Sequence, residues 1–549
     1  MAYTKSKTNA EELIKLYEAL RIDRDNMYSI WEDCRFYFNS EKQLMQPNNS
    51  GSKQIEQSSP LNPVGYDASM RFASGLFSNT FSAGEQFFSF KVSQAQLGDE
   101  DEAMKDWSID AGKICMNRIT STNFAVTAYD MMLSYTRLNT GVMYFEWQDD
   151  KGLVFKEIPI TDCCIAEDSD GYVNTVVREF QFTAKQAFHK WGNECHQSVI
   201  DDANDAEKSN NKVSYLHYVM PRKEYKKDSK NKMELPYKSC YVNKEKKHLV
   251  EEGGYSYFPY ATPRFLHNNQ MPYGRGQSFT ALDVMRVLTK MGEDIDDGVE
   301  LKVNPPVFAI GNVEEEDIDL TPGSWNNLSV DSKIIHYQTD LDLPAATARE
   351  QTKEEEVRRL FFNDVFVTIE GEAALKNVTA TAIDFLRAER IQALLPIVNR
   401  LYDEFYSPLL KGVLTILVER GEIEPPPSID IKNLRVEYST KLDQKLKMQE
   451  SNQILQALME VQQIYTQMME TTDLKHLVNV DEIARDLFRS KNISSKYILS
   501  EDETEESRAA EAEAQAEMAQ QQQLMDKVGQ ADPLKAPEQG SMISEMENM

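Results

Sequence analysis

His189, Cys195 and His196, with Cys163 and Cys164 upstream, are the residues whose types could bind a metal. Zinc is held by imidazole and thiolate ligands at short recurrent spacings, and this set matches none of the common ones. A metal-dependent hydrolase built on these residues is therefore the remotest of three readings. The segment Asp168-x-Asp170-Gly171 resembles half of a calcium loop but lacks the closing glutamate in register, and reads as a plain β-turn. Gly274-Arg275-Gly276 precedes a helical pattern and invites comparison with a phosphate cradle. It has neither the lysine nor the preceding strand that a cradle needs, which favours a structural turn. No Walker A, Gly-x-Gly-x-x-Gly or Gly-x-Ser-x-Gly pattern occurs. Arg222–Lys247 holds ten bases against four acids and reads as a solvated hairpin rather than a nucleic-acid contact. The remaining candidate is a charged helix face: Asp283, Arg286, Lys290, Glu293, Asp294, Asp297 and Glu300.

That face belongs to the stretch around which the chain is organised. Over Phe279–Val303, Leu282, Met285, Leu288, Gly292, Ile295 and Val299 recur three or four residues apart, the spacing of one helical face. Asn304-Pro305-Pro306 stops the helix, because proline lacks the N–H and biases its predecessor away from helix. A second rod is expected over Thr347–Thr368, ending in Leu360, Phe361, Phe362, Val365 and Phe366. A compact β-rich insert between the rods brings them back antiparallel. In a monomer the charged face is merely solvated. In a ring it lines a hole, and a predominantly negative wall repels DNA and lets it slide.

Other helices are expected over Glu11–Phe38 (Leu13, Leu16, Leu20, Met27, Trp31, Cys34 and Phe38 on one side), Tyr66–Phe77, Glu102–Thr122 and Phe124–Leu138. Between the first two, Ser40–Gly65 reads as an extended polar loop. A strand is expected at Phe87–Phe90 and a hairpin over Gly141–Trp147 and Leu153–Ile158, about the turn Asp149–Gly152. Strands follow at Tyr172–Phe182, Val213–Met220, Tyr237–Asn243 and Leu434–Tyr438, with a short helix ending at Trp191. Ile383–Arg420 has the longest helical periodicity, with kinks expected at Pro396 and Pro408 and termination at Glu424-Pro425-Pro426-Pro427. Helices are also expected near Leu442–Glu470, Asp481–Arg489 and Ser494–Leu499.

At 549 residues several cores are possible, and the fold class is α+β, mainly helical. The net charge is −29. Thirteen acids against three bases fall in Glu501–Met549, a low-complexity tail expected to be largely disordered. A protein gripping phosphates needs a basic excess, which this chain lacks. The six cysteines have no zinc-ribbon spacing, the N-terminus has no apolar signal core and no uncharged apolar run approaches 18 residues. Free thiols, a reducing cytoplasm, no cofactor and no membrane contact are the expectation.

Several segments, in order, carry a family resemblance. Asp67–Leu76 (DASMRFASGL) comes first, with Phe87–Phe90. Glu167–Thr183 (EDSDGYVNTVVREFQFT) and Pro272–Leu282 (PYGRGQSFTAL) follow. Asn304–Val307 (NPPV) and Leu320–Gly323 (LTPG) precede Thr379–Leu410. Together they resemble the portal, or head-to-tail connecting, proteins of short-tailed (podovirus-type) bacteriophages over about Glu11–Glu517. The chain departs from the family's Thr-Ala-x-Glu motif at Ala382 or Ile383.

The resemblance implies the portal fold and a homo-oligomeric ring of twelve at one capsid vertex. Residues 1–273 and 382–470 would form the wing, 274–303 and 347–368 the stem helices, and 304–346 the clip. Residues 369–381 would be a tunnel loop, 471–500 the crown and 501–549 the tail. The stem would line a channel for double-stranded DNA, and Glu370, Glu372, Lys376 and Asn377 would project from the tunnel loop towards it. Val307, Phe308, Ile310, Trp325, Asn326, Ile335 and Tyr337 of the clip would dock the terminase large subunit and later the tail adaptor proteins. Major capsid and scaffolding proteins would be further partners, in the virion and in the host cytoplasm during assembly. Such a protein is no enzyme. The competing class is a non-ring scaffold or internal core protein of a virion.

Overall fold

The computed structural model describes residues 9–39, 62–81, 84, 86–91, 102–226, 229, 231–268, 271–303, 307–310, 333–336, 342–366, 392–426 and 431–440, with residues 459, 483–484, 504, 508–510 and 518 beyond. The chain divides into Met1–Lys445 and Leu446–Met549. The helices expected near Leu442–Glu470, Asp481–Arg489 and Ser494–Leu499 fall almost wholly outside the described residues. So do the proposed tunnel loop with Glu370, Glu372, Lys376 and Asn377, and Trp325, Asn326 and Tyr337. Described elements are mainly helical, with antiparallel sheets, as the α+β reading expects.

Helix α1 (Ala10–Asn39) spans two cores because its apolar positions come in two groups. Leu13, Ile14 and Tyr17 pack on a sheet with Cys164, Val177, Leu216 and Tyr218. Met27, Trp31, Cys34 and Phe38 enter the main core. Leu16 and Leu20, expected on the buried side, are only half-buried, because Ile14 and Tyr17 turn to the sheet instead.

Helix α2 (Val64–Thr80) buries Val64, Ala68, Phe72 and Leu76 at intervals of four. After it come β1 (Phe88–Lys91), α3 (Glu102–Thr120) and α4 (Phe124–Leu138). The hairpin of β2 (Met143–Gln148) and β3 (Gly152–Glu157) turns at Gly152, whose φ of 76° is the left-handed region that glycine adopts without strain.

A five-stranded antiparallel sheet follows: β4 (Cys163–Glu167), β5 (Val173–Thr183), β6 (Lys212–Pro221), β7 (Tyr237–Asn243) and β8 (His248–Tyr255), in sequence order. Helices α5 (Ala184–Trp191) and α6 (Gln197–Asn204) sit between β5 and β6. Thr183 and Gln186 form a reciprocal capping box that starts α5. Alternation along β5 sends Val177 and Glu179 towards α1, and Arg178, Phe180 and Phe182 to the other face. The central strand β6 is buried from Val213 to Val219, as a strand covered on both faces must be.

Glu179 is buried beneath α1. Tyr17 donates a hydrogen bond to it at 2.5 Å, Lys244 pairs with it, and Arg24 lies 3.7 Å away. Burial by itself raises a carboxyl pKa, but hydrogen bonds from Lys244 and Tyr17 and the charges of Lys244 and Arg24 outweigh it, leaving Glu179 below its ordinary value. A depressed carboxyl contributes stability above its unfolded pKa of about 4.3 and loses it as pH falls through the lower folded value. Glu179→Gln should flatten stability against pH below about pH 5. Tryptophan-fluorescence denaturation at stepped pH checks this; an unchanged acid limb would exclude Glu179 as a contributor.

Strand β9 (Tyr260–Ala261) joins β2, and β10 (Leu266–Asn268) pairs with β11 (Met271–Arg275). The chain continues through α7 (Gln277–Val303), the antiparallel pair β12 (Val307–Ile310) and β13 (Lys333–His336), α8 (Leu343–Leu360) and α9 (Asn363–Phe366). The later helix, α10, is described over residues 392–401 and passes Pro396 without interruption. A π-helical turn, Tyr402–Tyr406, then precedes α11 (Ser407–Glu419). There the Ser407 N–H reaches the Tyr402 carbonyl, and the widened turn makes room for Pro408 at the start of α11. The helix ends at Glu419 and not at the prolines, because Gly421 takes a φ of 75°. Strand β14 (Arg435–Tyr438) returns to pair with β1, placing Tyr438 opposite Phe88.

A charged helical hairpin as the candidate functional site

Gly274 and Gly276 set the entry into α7. A Cβ on Gly274 would lie 2.2 Å from the Asn139 carbonyl oxygen, and one on Gly276 would lie 2.7 Å from the Phe265 ring. The Gly274 N–H donates to Thr140 Oγ1 at 2.9 Å. A strand, β11, does precede this turn, contrary to the sequence expectation. The glycines nevertheless serve close packing, since their neighbours are backbone and ring atoms of the same chain.

Helix α7 has 27 residues, about 40 Å at 1.5 Å per residue. Ser278, Ala281, Leu282, Met285 and Leu288 of its first half are buried. Beyond Leu288 the apolar stripe continues through Ile295 and Val299, but both are only half-buried. Helix α8 packs along α7. It is opened by the Asp342 side chain, which accepts from the Ala345 N–H, and by Pro344 in the first turn. Asn62 Nδ2 donates to Glu350 and Glu354 at 3.2 and 2.8 Å.

The second rod is shorter than the expected Thr347–Thr368: it starts at Leu343 and stops at Leu360. Phe361 packs edge-on to Phe38, with centroids 5.3 Å apart, and Phe362 lies 5.7 Å from Phe72. Seating both rings in the main core turns the chain, and Phe362 takes a φ of 52°. That conformation costs a non-glycine residue about 1–2 kcal/mol. Burying a phenylalanine side chain contributes about 1.5–3 kcal/mol, enough to offset it.

The seven charged residues proposed for α7, Asp283, Arg286, Lys290, Glu293, Asp294, Asp297 and Glu300, are all exposed. At 100° per residue they occupy an arc of about 120°. They are not equivalent. Arg286 pairs with Asp283 at 2.9 Å and reaches Asp33 of α1 at 2.5 Å, so the near end of the arc is tied to the rest of the chain. Lys290 pairs with Glu293 and Asp294 at 3.4 and 3.0 Å. Asp297 and Glu300, at the far end with Asp296, make no ion pair with any described residue. The arc therefore grows more negative away from α1. Of the clip candidates, Val307, Phe308 and Ile310 lie on β12 and Ile335 on β13, with Phe308 opposite Ile335.

The other candidates separate. Cys163 and Cys164 are consecutive strand residues and enter different cores, as the pleat requires. The Cys195 thiol is buried and donates to the Ala187 carbonyl; His196 caps α6 and His189 is exposed. No group of three or more His, Cys, Asp or Glu among the described residues is arranged to hold a metal ion. All six cysteines are buried free thiols. The Asp168 carboxylate accepts from the N–H groups of Asp170 and Tyr172, which makes this segment a turn closed by its own side chain. In the basic stretch, Arg222 and Lys238 both face Glu252, and Lys226 pairs with Glu234.

One cluster escaped the sequence reading. Arg264, with a side chain 1% exposed, binds Glu404 of the π-helical turn and Glu167 of β4. Nothing local marks this contact, since the partners lie 97 and 140 positions away.

Comparison with known proteins bears on the whole chain. A family described as bacteriophage head to tail connecting protein matches residues 10–499. The chain is 23% identical over 447 residues to the "Probable portal protein" of Bordetella phage BPP-1, covering 80% of each chain. It is also 23% identical over 529 residues to the "Portal protein" of Salmonella phage epsilon15, covering 94% of each.

Proposed function

The chain belongs to the bacteriophage head to tail connecting protein family, and from that premise we propose that it assembles as a ring at one capsid vertex and conducts double-stranded DNA during packaging and ejection. The observation that carries this reading is the α7–α8 hairpin. It presents an exposed, net-negative arc whose lysine and arginine are already paired with acids of the same chain. Such a wall offers DNA no phosphate anchors and keeps a polyanion centred by repulsion.

On this reading the hairpin is the stem and the β12–β13 pair belongs to the clip, where the terminase large subunit and then the tail adaptor dock. The segment at 369–381 forms a constriction, with Glu370, Glu372, Lys376 and Asn377 nearest the DNA. Residues 1–273 and 382–470 form the wing against capsid and scaffolding proteins, 471–500 the crown, and 501–549 an acidic tail. The protein acts as a structural conduit in the virion, after assembly in the host cytoplasm. ATP hydrolysis belongs to the motor docked on it. No helix among the described residues is long and apolar enough to cross a membrane.

Electron microscopy of the purified full chain, with native mass on the same sample, tests the ring. A holed ring of about twelve copies is the expected result. A closed dimer with a filled centre would overturn it, and variable stoichiometry or loss from mature particles would point to an internal scaffold instead.

A further inference from the structure

We propose that the pocket where Lys156 of β3, Arg178 of β5 and Lys190 of α5 converge binds a compact divalent oxyanion of the phosphate class. The cavity has a volume of about 210 Å³ and is walled by Phe180 and Tyr241. None of its three cations makes an ion pair or a hydrogen bond with any described residue. Arg178 Nε is buried with no partner, and the guanidinium lies over the Phe180 ring at 5.1 Å. Lys190 Nζ lies 4.4 Å from the Tyr241 centroid. Lys156 and Lys190 are exposed lysines, for which lacking a carboxylate partner is ordinary; the buried, unpartnered Arg178 Nε is what sets the pocket apart.

The one acid in the lining, Glu146, is already engaged. It accepts from Tyr144 Oη at 2.6 Å and from Gln148 Nε2 at 2.8 Å, so it shapes the wall rather than capping a cation. The larger cleft under α1, of about 450 Å³, is lined by two acids, Glu18 and Glu245, beside Lys212, Lys247 and two cations already paired. Its Arg21 pairs with Asp25 and its Lys244 with Glu179. Partial desolvation pulls the ammonium groups of Lys156 and Lys190 below their ordinary pKa. Repulsion by Arg178 adds to this at Lys156 and, more weakly, at Lys190, where the charges of Glu251 and Glu146 oppose it. A bound anion relieves that repulsion.

Charge and size select the ligand. Within the lining, three cations less Glu146 leave a surplus of two positive charges. Glu251, bonded to Trp191 outside the lining, is the further charge felt by Lys190. A planar guanidinium beside two ammonium groups suits a tetrahedral oxyanion. The volume admits such an ion with a few waters but not a nucleotide. Three different elements, β3, β5 and α5, hold the groups in place, so the site is organised before any ligand enters. None of this depends on the ring.

Calorimetry of the full chain with inorganic phosphate at low ionic strength, repeated with sulfate, acetate and a glutamate-rich peptide, tests the proposal. Saturable one-to-one binding of phosphate is expected, with sulfate competing and acetate at least about tenfold weaker. Arg178→Gln and Lys190→Gln should each weaken phosphate binding by about tenfold or more. Phosphate should also raise the melting temperature of the unmodified chain above that in chloride of equal ionic strength, a readout that needs no variant. Two results would overturn the proposal: neither heat nor a melting shift with phosphate, or binding unchanged in the Arg178→Gln, Lys190→Gln double variant. Acetate or the peptide binding as tightly as phosphate would also overturn it and assign the pocket to a carboxylate.

Discussion

Arg264→Met is expected to destabilise the folded chain by about 3–5 kcal/mol, the range for breaking a buried ion pair from one side. Arg264 Nε and Nη2 donate to Glu404 at 3.1 and 2.7 Å, and its backbone N–H donates to the same carboxylate at 2.8 Å. Nη1 pairs with Glu167, and Nη2 also reaches the Gly171 carbonyl at 2.7 Å. Methionine fills the volume but leaves Glu404, 9% exposed, with only Arg400 as a cationic partner among the described residues. Arg264→Lys keeps the charge and loses the fork, so an intermediate loss is expected. Combining Arg264→Met with Glu404→Gln should cost less than the two changes summed, because the second removes the stranded charge. Denaturant midpoints give all three values. A loss below about 1 kcal/mol for Arg264→Met would mean that Glu404 and Glu167 find water or a new partner once the arginine is gone.

The contacts of Arg264 also mark where sequence reasoning stops. Periodicity reports what a residue does to its own turn or pleat. The helix around Trp31 and Cys34, the whole of Phe124–Leu138, the hairpin about Gly152 and the strand Tyr237–Asn243 were therefore legible. The pairing of Phe88 with Tyr438, like that of Arg264 with Glu404, depends on residues hundreds or scores of positions apart, and no local pattern encodes it.

Terminations were misread for a related reason. Phe361 and Phe362 look like the continuation of an apolar stripe, but they end α8 because the core that receives them lies to one side. Gly421 ends α11 before the more conspicuous prolines can. In the charged face of α7 the residue types were right. That Arg286 is spent on Asp33 required the position of α1.

Those pairings determine the outcome of neutralising the face. The variant Asp283→Asn, Glu293→Gln, Asp297→Asn, Glu300→Gln is expected to assemble normally and yet lower the yield of DNA-filled particles by about tenfold. Assembly survives because each cation keeps an acid: Arg286 retains Asp33, and Lys290 retains Asp294. Exposed pairs of this kind contribute about 0–1 kcal/mol, so the stability change is small. On the conduit proposal, transport should suffer because screening limits each charge to about 8 Å at physiological salt, and a wall must carry its own charge to repel a duplex sliding past it.

Lysine at the same four positions should be worse, by about a hundredfold in filled particles, because every phosphate contact releases counterions and becomes a sticking point. Counterion release also predicts that raised salt recovers part of the lysine variant's loss and none of the neutral variant's. Counting full and empty particles by cryo-electron microscopy across a salt series measures both. Filled particles at the normal yield from the neutral variant would remove the α7 charge from the transport mechanism, whatever the ring proves to be.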